Sequence, residues 1–357
     1  STRLTRPPEI PMTAKNKPYN WFAFVVAGAA IAGAVTLGSG GCSSDQDALV
    51  VYCAHDQVFS ERILRRFEQE TGIRVIPRFD TEATKSLGLT NLLISEQKHP
   101  RCDVFWNNQV LGTAELGRQG ILQAYKGVGY RRIPEAYKDP DGYWTGFAAR
   151  LRVYIVNTDL MQPTAEEIER RFAADDLSRI AVARPMFGTT LSHYSVLWNL
   201  WKPDRLKQWH DGIRRREISE VAGNSTVMNL VAKGTCDLGW TDTDDFFVAK
   251  DRGDPVAMLP IRVSGETICI PNSVAIIKGT KKLQQAQQLV DFLLSAETEL
   301  ELATSKSRQI PLGPVKEDDL PPDVRPLQKW AEEGYDLSGL AQSRGACLAW
   351  LKSENLR

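Results

Sequence analysis

The sequence predicts an α/β protein of two lobes, with parallel-rich sheets flanked by helices, a hinge and an interlobe cleft. Three observations predict it. Short apolar runs alternate with amphipathic stretches from residue 48 to residue 119, the order of right-handed βαβ units. A similar alternation fills residues 164–240. Between them lies one long strand-like stretch, GFAARLRVYIVNT at 146–158, and the chain returns through 267–272. The polypeptide therefore crosses between lobes at least twice, the wiring of a hinged clamp. The boundaries that follow are 48–147 for the first lobe, 148–269 for the second, and 270–357 for the return to the first lobe with the C-terminal helices.

The elements follow in order. ALVVYC at 48–53 is a continuous apolar run and reads as a buried strand. Residues 58–71 carry Val58, Phe59, Ile63, Leu64 and Phe67 at helical spacing, and Gly72 stops that helix. IRVI at 73–76 is the next strand, and Leu87, Leu89, Leu92, Leu93 and Ile94 mark a helix over 86–98. CDVFW at 102–106 is a third strand, 110–119 a third helix, and 128–144, rich in Gly, Pro and Tyr, a loop. Beyond 146–158 come a helix at 164–173, a strand at 179–183, helices through Trp198 and Trp209, a helix at 225–233 and a strand at 236–240. Strands at 256–259, 267–270 and 273–277 and helices at 282–294 and 296–305 follow. Residues 315–357 read only as helices that pack on the first lobe. No internal repeat is visible.

The N-terminus carries an address. Residues 21–37 hold no charge, Lys15 and Lys17 precede them, and Gly40-Gly41-Cys42-Ser43-Ser44 follows. A positive flank, an apolar core and small residues before a cysteine predict a lipoprotein-type export segment over 1–42. Cleavage before Cys42 and acylation of that cysteine would tether the protein in the periplasm or at the outer face of the cytoplasmic membrane, with 43–47 as a linker. An uncleaved anchor or a secretory signal is the alternative. Seventeen residues are at the short edge of a spanning helix, and Ser39 stands where a lipobox has Leu or Val.

Composition narrows the function. The chain is 42% hydrophobic and 25% charged, with 44 basic and 44 acidic residues, as a globular protein is. Residues 1–42 hold Arg3, Arg6, Lys15, Lys17 and Glu9, so 40 basic residues face 43 acidic ones in the remainder. That balance argues against a nucleic-acid partner. Besides Cys42 there are five cysteines and no CxxC pair, which reads as small buried residues with room for one disulfide. The four histidines have no HxxxH or HExxH spacing.

Candidate site residues come from the strand ends, because ligands of open parallel sheets bind outside the carboxyl ends. Those ends are His55-Asp56, Asp80-Thr81-Glu82, Asn107-Asn108, Gly188-Thr189-Thr190, Gly223-Asn224-Ser225 and Thr241-Asp242-Thr243-Asp244-Asp245. Any one of them also suits helix capping, Asn224-Ser225-Thr226 above all. Arg150 interrupts a small, apolar stretch at the predicted hinge, and a buried arginine needs an anionic partner. That partner is either a carboxylate such as Asp56 or a ligand anion between the lobes. Asp242, Asp244 and Asp245 can bind a hard cation, or they are an N-cap with solvated charges.

Together VVYCAHDQ, FEQETGIRV, CDVFWNNQ, ELGRQGIL, WTGFAARLRVYIVNT, AGNS and PNSVAIIKGT resemble the periplasmic solute-binding proteins of ABC importers, of the ferric-iron-binding type, from residue 48 to about residue 314. The resemblance implies a type II periplasmic-binding-protein fold, a monomer with no catalytic cofactor, a cleft ligand and delivery to a membrane permease. The ligand it implies is Fe(III) with a synergistic anion. Arg150, Gly188, Thr189, Thr190 and Asn224 match the anion-binding positions, with Thr81, Asn107 and Asn108 on the same rim. The metal side departs from the family. Asp244 and Asp245 fall where two adjacent tyrosines stand, Asp56 falls on a histidine with His55 one residue earlier, and Asn108 falls on a glutamate. His55, Asp56, Glu82, Asp242, Asp244 and Asp245 could still make an oxygen-rich metal site. The alternatives are a metal-free binder of an organic phosphate or carboxylate, and a secreted metal-dependent phosphohydrolase using Asp242 and Asp244.

Overall fold

A computed structural model describes residues 47–80 and 87–354. The chain divides into Ser1–Cys42 and Ser43–Arg357, and the first unit, with the export segment and Cys42, lies outside the described residues. Among the described residues no helix is long and apolar enough to cross a membrane.

The first elements are β1 (Leu49–Cys53), α1 (Gln57–Thr71), β2 (Val75–Phe79), α2 (Leu87–Ser95), β3 (Val104–Asn107), α3 (Leu111–Arg118), β4 (Leu122–Gln123) and α4 (Val128–Arg132). The long β5 (Thr145–Asn157) leads to α5 (Ala165–Phe172), β6 (Ile180–Ala183), α6 (Gly188–Trp201), α7 (Pro203–Arg215), β7 (Ser219–Val221), α8 (Asn224–Ala232), β8 (Leu238–Asp242) and α9 (Thr243–Asp251). Then come β9 (Val256–Pro260), β10 (Arg262–Val263), β11 (Glu266–Thr267), β12 (Cys269–Ile277), α10 (Leu283–Leu293), α11 (Ala296–Thr304), α12 (Arg325–Glu332) and α13 (Ala341–Glu354). The α1 helix shows the local logic. Ser60, Ile63, Leu64 and Phe67 bury one face, and Gly72 ends the helix at φ 72°, its N–H bonded to the Glu68 carbonyl.

The sheet runs β2-β1-β3-β12-β5-β8-β6-β7. β1 pairs parallel with β2 and β3, and β6 pairs parallel with β7 and β8. β5 and β12, which join these two halves, are antiparallel to their neighbours. The first part of β5 pairs with β12 and its second part with β8 and β9, so one strand serves both halves. Its path bends at Ala148, which has φ 42°, and the β5–β12 register shifts between Pro271 and Asn272. The bend is held from both sides: Glu299 Oε1 accepts the Ala148 N–H at 2.8 Å, and the Asn272 amide donates to the Ala148 carbonyl at 2.5 Å.

Several expectations change. The strands expected at 267–270 and 273–277 are largely one strand, because the bulge at Pro271 bends the ladder without breaking it. The expected loop at 128–144 contains α4 and a 3₁₀ turn at Glu135–Tyr137. The acidic segment after β8 is the first turn of α9, not a loop. The C-terminal helices do not pack only on the first half. α12 lies on β5, while α13 packs mainly on α6 and also on α3, with Cys347, Leu348 and Leu351 in one core with Leu191, Tyr194 and Leu197. The five described cysteines are all buried, and no disulfide joins any two of them.

Candidate functional site

The carboxyl ends of β1, β3, β6, β7 and β8 turn toward one cavity of about 250 Å³. His55, Asp56, Asn108 and Arg150 line it together with Gly188, Thr189, Thr190, Asn224, Asp242, Asp244 and Asp245. These are residues named from sequence, from both halves of the sheet. α6, α8 and α9 all begin at the cavity, so three helix N-termini stand against it. Gly188 opens α6 at φ 50°, a conformation that only glycine takes without strain.

Arg152 organises the far wall. It is fully buried, and its Nη1 donates to Asp242 at 2.7 Å and Asn224 at 3.2 Å. Asp242 also accepts from Thr189 at 2.6 Å and from the Asn224 amide at 3.0 Å. Thr190 donates to Asn224 at 3.2 Å. Neither capping alternative is realised. Asp242 makes no side-chain cap to α9, and α8 has Gly223 at its cap position while Asn224 turns to Asp242.

Arg150 stands two residues before Arg152 and so on the same face of β5. It is 4% exposed, donates from Nη2 to the Asn108 carbonyl at 2.6 Å, and holds Nε 3.7 Å from Asp242 and 3.8 Å from Asp244. Its near carboxylates therefore include Asp242 and Asp244, where the sequence suggested Asp56. Among the described residues, the buried atoms of this wall without a hydrogen-bond partner include Arg150 Nη1, Arg152 Nε and Arg152 Nη2, which are donors, and Asn108 Oδ1, an acceptor. Asp245 accepts from the Thr241 hydroxyl at 2.9 Å. Burial, then the neighbouring Asp244 and Asp242, push its carboxyl well above the usual carboxylate range. His55 stacks on Trp106 with centroids 5.2 Å apart, and its Nε2 meets the Gln309 amide nitrogen at 2.6 Å. Asp242, Asp244 and Asp245 each bring a carboxylate oxygen within 4.8 Å of the others.

Asn107 does not line the cavity. Successive strand residues face opposite ways, and its amide donates inward to Thr113 at 3.1 Å. Thr81 and Glu82 lie outside the described residues. Ala183, Arg184, Phe187 and Ala222 also line the cavity, and sequence reasoning missed them along with Arg152. Arg152 was findable, because a second arginine at i+2 in a buried strand shares the face of the first.

A family model described as bacterial extracellular solute-binding protein matches residues 49–302. The chain is 21% identical over 273 residues to iron uptake protein A1 of Synechocystis sp., covering 72% of this chain and 74% of that one. The fold is similar to iron-bound HitA from Pseudomonas aeruginosa (TM-score 0.73, 20% identity, 85% of this chain and 99% of that chain). It is equally similar to AfuA from Actinobacillus pleuropneumoniae, solved with fructose-6-phosphate (TM-score 0.73, 20% identity, 87% and 99%). The fold is thus the two-lobed periplasmic-binding-protein fold. The phosphohydrolase alternative falls with the family match, since solute-binding proteins are transport components and not enzymes. With well over half of its length matched, this chain belongs to the bacterial extracellular solute-binding proteins.

Proposed function

We propose that this protein captures a small organic phosphate or carboxylate in the cavity, without metal, and delivers it to an ABC permease. The carrying observation is Arg150: a buried guanidinium whose Nη1 lacks a partner, in a wall where three helices begin. Arg152 keeps Asp242 neutralised and braces Thr189 and Asn224. The structure bound to fructose-6-phosphate supports an anionic solute in this fold. On this reading the lobes are 48–147 with 270–357, and 148–269, and they close over the solute by rotation at β5 and β12. Cys42, in its small-residue context, is the proposed lipid attachment point.

Ferric iron with a synergistic anion is the second reading, favoured by the clustered Asp242, Asp244 and Asp245 and by iron-bound HitA. Three features weigh against it. Among the described residues, no tyrosine lines the cavity. Asp242 is engaged by Arg152 and Thr189, and two arginines beside the carboxylates repel a trivalent ion. A melting-temperature titration of the dialysed protein separates the readings. Chelated ferric iron, with and without carbonate, is compared with phosphorylated and carboxylated metabolites. A ligand at 100 times its Kd should stabilise by about 2.7 kcal/mol. A shift with iron alone would overturn the metal-free reading.

A further inference from the structure

We propose that the protein has a second ligand site, apart from the cleft, that takes a small, neutral, planar heteroaromatic molecule offering a hydrogen-bond acceptor to Trp240. The site is a cavity of about 250 Å³ bounded by β5, β8, α6 and the β10–β11 hairpin, and it shares no lining residue with the cleft. It does not depend on which solute the cleft takes.

The walls are mostly rings. His193, Leu197 and Trp201 recur every four residues on one face of α6, and the β5–β8 register sets Tyr154 directly opposite Trp240. His193 lies against Trp240 with ring centroids 4.6 Å apart, and Trp209 stacks on Trp240 at 5.4 Å, only 4° from parallel. The Trp240 indole is thus held between two other rings, and aromatic walls favour a guest that can stack on them or meet them edge-on. Two polar ring atoms in these walls are buried without a hydrogen-bond partner, Trp240 Nε1 and His193 Nδ1. The indole nitrogen can only donate, so it requires an acceptor, and the imidazole nitrogen takes either role with its tautomer. Arg152 Nε and Nη2 are unpartnered as well, but Arg152 lines neither cavity. Charge narrows the guest further. Burial, then the Arg152 charge, hold the His193 imidazole well below its ordinary range, so the ring is neutral. Among the described residues no carboxylate lines the cavity, and Arg262 at its rim is occupied by Glu333 and the Gly265 carbonyl. A cation would meet Arg262 with no counter-charge in the walls, and an anion would meet the negative faces of the rings. A neutral flat molecule with an in-plane acceptor answers the rings and the indole N–H together. The volume is below the range of drug-sized pockets, which sets the limit at one or two fused rings.

The test is titration of the purified, ¹⁵N-labelled protein near neutral pH with indazole and with indole. The two have the same shape and are both neutral, and indazole carries an acceptor nitrogen where indole has a ring C–H. The tryptophan Nε1–H resonances, assigned by triple resonance, are followed by NMR. Indazole should bind with a Kd of about 1 mM or below, and at least about threefold tighter than indole, because a neutral hydrogen bond is worth a factor of about 2 to 10. The Trp240 Nε1–H proton should move downfield as it gains an acceptor. Trp240→Phe keeps a ring and removes the donor, so the preference for indazole should vanish. Its melting temperature reports whether it folds, and if it does not, the wild-type Trp240 resonance decides alone. No binding by either compound overturns the proposal and leaves the cavity a gap in aromatic packing. Equal binding overturns it too, as does a preference for indazole that leaves the Trp240 resonance unmoved or persists in folded Trp240→Phe.

Discussion

Two arginines two residues apart on one strand should fail in different ways when truncated. Arg152→Ala removes the guanidinium that holds Asp242 at 2.7 Å and leaves that carboxylate buried beside Thr189 and Asn224. Breaking one side of a buried pair costs about 3–5 kcal/mol of stability. Arg150→Ala removes a group whose nearest carboxylates are 3.7 and 3.8 Å from Nε, beyond good hydrogen-bond length, and Asp242 keeps Arg152. The fold then loses chiefly the donor to the Asn108 carbonyl, about 1–3 kcal/mol. Binding should lose more. Truncating one partner of a desolvated charge pair costs about 2–5 kcal/mol, or a rise in Kd from about 30-fold to a few thousand-fold. Urea melts read the first quantity and calorimetry with a phosphorylated solute reads the second. If Arg150→Ala binds like wild type, or is destabilised as much as Arg152→Ala, the assignment of roles is wrong. Arg150→Lys should recover part of the lost affinity, since an ammonium cannot make the planar two-pronged contact.

Other outcomes follow from the same structure. Stability should fall as pH drops from about 6.5 toward 4. Burial lowers His210 to about 4 and holds His193 well below its ordinary value, so the unfolded chain takes up protons that the folded chain refuses. His210 alone accounts for about 3 kcal/mol by the lower end, and His210→Asn should flatten the profile. Asp245 works in the opposite sense, because its raised carboxyl takes a proton first in the folded state and gains stability as pH falls. Asp245→Asn should therefore steepen the loss, which urea melts across pH would show. Small-angle scattering should show compaction when solute saturates the protein, because a site split between lobes gains contacts only when they meet. An unchanged radius of gyration at saturation would count against the hinge.

Much of this was legible in the residues. Alternating apolar and amphipathic runs gave the parallel halves, since burial on both faces produces continuous apolar strands. The strand-end rule named twelve of the residues that line the cavity. What stayed hidden depended on side-chain direction and long-range packing. Asn107 and Asn108 are neighbours, and only the strand's pleat decides which faces the cleft. Asp242 looked like a cap or a metal ligand until Arg152, 90 positions away, was seen to hold it. β4 and β7 were missed because two or three residues paired only through tertiary contact carry no period to detect. α13 could not be placed, because nothing local says which half of the sheet a C-terminal helix covers.

Arg150 also sits just beyond the bend at Ala148, with one nitrogen on the Asn108 carbonyl of the first half and another facing Asp242 and Asp244 of the second. It is thus a latch as well as a reader of charge. If the halves rotate at the bend as proposed, the bond to Asn108 must break before they part. If the proposed hinge opens at this bend, Arg150 would be one of the contacts that hold the ligand-free clamp shut, and a solute would have to wait for it to lift. Capture would be slower than diffusion allows, and release at the permease would require that the same arginine be drawn away.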